Sequence, residues 1–181
     1  MKHTLFIAIA LLLGTAHAAH VDGVYKYSSF GMEAENWGDP LFIMVGEKPK
    51  NMSPFVGAGS EAEGAKFCSE DDANICVASR RLTFAVPKKR VSSGDEWEFN
   101  NFTFSVATEL DIELLGRKAH VYRILARSRS SFRWVFIYSY ELGLVLIEEH
   151  AESNKASVVY LLANEVGFGG KMKSPSDEEG Q

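Results

Sequence analysis

Between Leu110 and Ala163 the chain repeats one local pattern: short runs suited to a pleated strand, each closed by turn residues before a helix could develop. Leu110, Ile112 and Leu114 alternate with Asp111 and Glu113, and a period of two puts the apolar members on one face of a half-buried strand. Gly116-Arg117 marks a turn, and Ala119 to Ala126 reads as the returning strand. From Phe132 to Ser139, the residues Phe132, Trp134, Phe136 and Tyr138 alternate with Arg133, Val135 and Ile137. Tyr140-Glu141-Leu142-Gly143 turns again, Leu144 to Ile147 returns, and Ser157 to Ala163 forms the last strand. Strands at this spacing, with short turns and no long helix between them, predict an antiparallel meander. The expected class is all-β or β-rich α+β, a small sandwich or partly closed barrel with at most one or two short helices.

Upstream the pattern is less regular. Val24 to Tyr27 and Leu41 to Val45 read as strands, separated by loop signals at Gly31, Gly38 and Asp39-Pro40. Pro49, Pro54, Gly57, Gly59 and Gly64 exclude a long element, although Ser60 to Phe67 could form one or two helical turns. Ile75 to Ser79 and Leu82 to Val86 are short apolar runs. In Trp97 to Val106 the apolar parity shifts by one, because Trp97 and Phe99 are followed by Phe102, Phe104 and Val106. A bulge at Asn100-Asn101 would restore a single buried face.

The N-terminus reads as a secretory signal. Lys2 and His3 precede the apolar run Leu5 to Leu13, and Ala16-His17-Ala18 supplies the small residues that signal peptidase accepts. The run is much shorter than the roughly 20 apolar residues of a membrane span. The expected organisation is a cleaved leader over 1–18, one β-rich domain over 19–170 and a disordered polar tail over 171–181. No transmembrane segment is expected after cleavage, and the destination is periplasmic or extracellular.

Loss of Lys2 takes the formal charge from −5 to −6. A mildly acidic chain has no sequence-independent grip on nucleic acid. Cys68 and Cys76 are the only cysteines, with seven residues between them. In an oxidising compartment they are expected to form a structural disulfide that pins the polar loop Ser69 to Asn74.

Candidate chemistry is sparse. After cleavage the histidines are His20, His120 and His150, and no serine lies in a nucleophile-elbow motif. A cut after Ala19 would expose His20, whose amine and imidazole could chelate copper with His120 or His150 as third ligand. Glu70, Asp71, Asp72 and Asn74 could offer oxygens to calcium but lack the spacing of a calcium hand. Glu148 and Glu149 point to opposite faces of a strand and cannot be a facing catalytic pair. Arg80-Arg81 and Lys88-Lys89-Arg90 bracket one strand, and Arg123, Arg127, Arg129 and Arg133 populate the meander. With Phe132, Trp134, Phe136 and Tyr138, the residues Arg123, Arg127 and Arg133 form the candidate ligand or partner surface, although an aromatic stripe of this kind is more often core. Asn101-Phe102-Thr103 fits a glycosylation sequon, which matters only in a eukaryotic secretory pathway.

The segment 136–148 resembles the terminal hairpins of small bacterial envelope proteins, and the resemblance implies a periplasmic setting. It transfers no active site. The reading is therefore a binding protein without catalytic activity or cofactor, engaging a protein or an amphiphilic ligand of the envelope. The competing reading is a secreted enzyme, in its most concrete form the copper site on His20.

Overall fold

Large and β-branched side chains at alternating positions fit a pleated surface, and every regular element among the described residues is a strand. The computed structural model describes residues 23–31, 39–45, 54–58, 61–114, 116–128, 132–150 and 156–171. The residues expected to form the leader, His20 and the expected tail beyond residue 171 lie outside them. Thirteen strands form two antiparallel sheets, neither closed into a barrel. The all-β expectation holds, and the arrangement is that of a sandwich or meander.

The larger sheet contains β1 (Gly23–Gly31), β2 (Leu41–Val45), β3 (Phe55–Ala58) and β4 (Glu61–Gly64) on one side. On the other side are β8 (Glu96–Phe99), β9 (Phe102–Leu114), β10 (Arg117–Arg127), β11 (Phe132–Ser139), β12 (Gly143–His150) and β13 (Ala156–Leu162). The two halves meet where β1 pairs with β13, Tyr27 opposite Leu162. The smaller sheet holds β5 (Lys66–Phe67), β6 (Asn74–Ala78) and β7 (Thr83–Pro87).

Two sequence readings need correction. Ser60 to Phe67 is not helical where described, since it supplies β4 and β5. Asn100-Asn101 is not a bulge within one strand but the two-residue turn between β8 and β9. Both asparagines have positive φ, 48° and 66°, as the tight hairpin turn requires. Its reversal, with Phe99 opposite Phe102, restores the common apolar face. Phe168 enters the core, 5.6 Å from the Phe67 ring and 5.9 Å from Tyr25, centroid to centroid.

The core lies between the sheets. Phe84 on β7 meets Phe136 at 5.0 Å and Tyr138 at 5.7 Å, and Trp97 stacks on Phe104 at 5.8 Å. Hydrogen bonds stitch the sheets together where a strand edge would otherwise be bare. The Trp97 indole N–H donates to the Ala85 carbonyl at 3.0 Å. The Tyr140 hydroxyl lies 2.8 Å from the carbonyls of both Pro87 and Lys89. The Tyr27 hydroxyl donates to Leu144 O and accepts the Phe168 N–H, each at 3.1 Å. Burial drives the hydroxyl pKa values of Tyr27 and Tyr138 far above the ordinary range, so both remain donors. Cys68 and Cys76 form a disulfide, with Cα atoms 5.1 Å apart. Among the described residues no helix is long and apolar enough to cross a membrane.

Candidate functional site

The cross-strand register separates the residues grouped by the sequence. Trp134, Phe136 and Tyr138 face the small sheet and are buried in the core. Arg123 and Arg127 lie on the opposite face of the same sheet, because Tyr122, Ile124 and Ala126 take the inward positions of β10. Aromatic stripe and arginines therefore cannot form one surface. Phe132 and Arg133 belong to β11, but their side chains lie outside what is described.

Of the remaining basic residues, Arg80, Arg81 and Lys88 have partners. Arg80 and Arg81 pair with Glu63 and Glu61, at 3.4 Å and 2.8 Å, joining the β6–β7 turn to the edge strand β4. Lys88 reaches the carbonyls of Ser69 and Glu70 in the disulfide loop. In that loop Asp72 accepts the Ser69 N–H at 2.6 Å and its hydroxyl at 3.0 Å, closing a local turn.

The outer face of the large sheet is the feature the sequence reading missed. Two neighbouring cross-strand rows run over it. One contains Arg123, Ile137, Leu146, Leu161 and Ser28, and the other Leu125, Val135, Glu148, Val159 and Phe30. Val135 at the centre is buried, while Phe30 is 49% exposed. The other apolar members and Arg123 are half-buried. Among the described residues Arg123 makes no ion pair. Farther along this face Ala119, Val121, Leu142 and Val145 form a second apolar cluster, flanked by Ile112, Leu114 and Ile137. The signal was present in the sequence as apolar runs at 144–147 and 158–162, a pattern of strands covered on both sides.

The histidines do not converge. The ladder Ala126–Trp134–Glu149 places the end of β12 level with the end of β10. His120 lies six residues back along β10, about 20 Å away at roughly 3.3 Å per residue, so His120 and His150 cannot share a metal. His150 lies 3.5 Å from Glu148 on its own strand. The His120 ring nitrogens take different carboxylates: Nδ1 is 2.8 Å from Asp111 and Nε2 is 3.2 Å from Glu109. A metal on either nitrogen would meet only one of them. No group of three potential metal ligands gathers among the described residues.

What this cluster does is hold charge. Asp111, and then Glu109, raise the His120 pKa against a smaller opposing effect of burial. Glu109 also accepts the Ser93 N–H, and the His120 ring stands edge-on to Tyr122 at 5.1 Å. A raised folded-state pKa contributes stability that is complete below the unfolded value of about 6.5 and is lost as pH rises through the folded value. In an NMR titration His120 should therefore deprotonate above the ordinary imidazole range. Asp111→Asn should bring it back down; an unchanged midpoint in that variant would exclude the pairing.

No family model matches the chain, and neither curated proteins nor solved structures show a match to it.

Proposed function

We propose that this chain is an exported binding domain of the cell envelope, without catalytic activity, and that the outer face of its meander engages a protein partner or an amphiphilic ligand. The observation that carries the reading is the pair of largely apolar rows across β10, β11, β12, β13 and β1, interrupted only by Arg123, Ser28 and Glu148. The small sheet covers the other side of these strands, while Phe30, Val24 and Leu110 remain 49%, 50% and 41% exposed. Contiguous apolar side chains rimmed by polar groups suit a binding surface. Arg123, set among Ile137, Leu125 and Thr108, adds a donor for an anionic or acidic group. The leader-like pattern of residues 1–18 and the Cys68–Cys76 disulfide support the compartment.

The test is in-cell photocrosslinking from a benzophenone side chain at Phe30. A discrete adduct with one envelope component is expected, and the double variant Ile137→Lys/Leu146→Lys, folded by circular dichroism, should abolish it. A diffuse smear of adducts, or an adduct indifferent to the two lysines, would overturn the reading.

A further inference from the structure

The strand β9 is thirteen residues long, but β8 covers only its first part, from Phe102 to Ser105. The ladder is extended by one residue, since Val106 exchanges hydrogen bonds with Gly94 and Asp95. Beyond that point, residues 108–114 pair with β10 on one side and with no described strand on the other. The four consecutive residues Thr108, Glu109, Leu110 and Asp111 are all exposed.

The register fixes which backbone groups are open. Val106 directs its N–H and C=O toward the β8 side. The shift between Arg123 and Ile124 inserts Ala107 as an extra residue and inverts the alternation. After it, Thr108, Leu110, Ile112 and Leu114 bond to β10, whereas Glu109, Asp111 and Glu113 point their N–H and C=O groups outward. None of these outward groups has a hydrogen-bond partner among the described residues. Their side chains form an acidic row on one face, while Leu110, Ile112 and Leu114 line the other.

We propose that this edge accepts an added antiparallel strand from another protein, an extended segment of about seven residues in which basic and apolar side chains alternate. The proposal rests on the binding-domain reading above and specifies how part of the partner is held. Main-chain bonding to an open edge supplies affinity, and alternating side chains supply selectivity. Directly opposed side chains share a face, so a lysine or arginine would stand across from each of Glu109, Asp111 and Glu113. Apolar residues between them would continue the surface of Leu110 and Ile112. Among the described residues of this hairpin, the basic side chains on the acidic face are His120 and Lys118, opposite Asp111 and Glu113. Asp95, Glu96 and Glu98 extend the acidic margin along the neighbouring edge.

Charges on an edge commonly guard against pairing, and here they select among partners. Two copies of this chain joined edge to edge would set acids against acids, so self-association is opposed. The same acids attract a basic strand. Neither proline nor glycine interrupts residues 108–114, so the edge is straight enough to be read along about 23 Å.

The test uses capped seven-residue peptides alternating lysine and valine, added to the isotopically labelled chain. Binding should shift or broaden the amides of Glu109, Asp111 and Glu113. In antiparallel register the lysine amides bond to β9 and the valine amides face away. N-methylation of the lysine amides should therefore weaken binding at least tenfold, and N-methylation of the valines less than twofold. A glutamate–valine peptide should not bind. Equal sensitivity to the two methylations, equal binding of the acidic peptide, or no binding at millimolar peptide would overturn the proposal. If the peptide fails while the Phe30 adduct forms and responds to the lysine variant, the strand proposal falls and the binding-domain reading stands.

Discussion

Truncating Phe168 to alanine should lower the unfolding free energy by about 3–5 kcal/mol, the usual range for removing a buried aromatic ring. Phe168 is 2% exposed and packs between the rings of Phe67, Tyr25 and Phe84, so it touches both sheets. No strand carries it. It sits in the segment after β13, which crosses the β11–β12 turn. Three backbone bonds hold that crossing, Gly167 N to Leu142 O at 2.7 Å, Leu144 N to Phe168 O at 2.9 Å and Lys171 N to Glu141 O at 3.0 Å, while Gly170 N to Gly167 O, also at 3.0 Å, closes a turn within it. Without the ring, these bonds must order an irregular segment against its conformational entropy. The amides of Gly167, Gly170 and Lys171 should therefore exchange faster than those of β11 and β12. Phe168→Leu should recover more than half of the loss. Denaturant unfolding with native-state hydrogen exchange checks both parts, and a cost below 1 kcal/mol for the alanine variant would show that the ring is no keystone.

This residue also shows where sequence reading stops. From Leu110 onward, the two-residue period and the turn residues locate the second half of β9 and β10 to β13 closely, because packing and local preference agree there. The first half of β9 reads from the sequence as a separate stretch with Trp97, whereas the strand runs unbroken from Phe102 to Leu114. Phe132 to Ser139 is β11 to the residue. Phe168 is different: a single aromatic between glycines carries no periodic signal, and its burial depends on Phe67 and Phe84, which lie 101 and 84 residues earlier in the chain. Similarly, β3 and β4 are four-residue strands among glycines, and each is defined by its neighbour rather than by its own composition.

The candidate site was legible only in fragments. Alternation correctly separates Trp134 and Phe136 from Val135 and Ile137, but it cannot say which set meets a second sheet. The larger, aromatic set is the core here, and the aliphatic set with Arg123 forms the outer face. Equally, Glu109, Asp111 and His120 read as scattered surface charges until the register puts His120 opposite Asp111. The open edge of β9 depends on the length mismatch between β8 and β9, and therefore on the Asn100-Asn101 turn.

Gly143→Ala should be at least as damaging as loss of the Phe168 ring, at about 4 kcal/mol or more, because two costs meet at one atom. Gly143 has φ +76°, where an L side chain costs roughly 1–2 kcal/mol. Its Cβ would also lie 2.2 Å from Gly167 O and 2.6 Å from Gly170 N. Those are backbone atoms of the crossing segment, so neither a rotamer change nor a flexible side chain can relieve the overlap. The crossing must lift, and it carries Phe168 out of its socket. Gly116→Ala separates the two costs, since Gly116 has φ +75° but nothing within 4 Å of the added carbon. It should lose only the conformational 1–2 kcal/mol. In the Phe168→Ala background, where the crossing is already loosened, Gly143→Ala should likewise cost little more than that amount. The double-mutant cycle would then show strong non-additivity, as expected of residues acting through one contact. Strict additivity, or equal losses for Gly143→Ala and Gly116→Ala, would mean that the glycine serves the turn alone and that the crossing is held elsewhere.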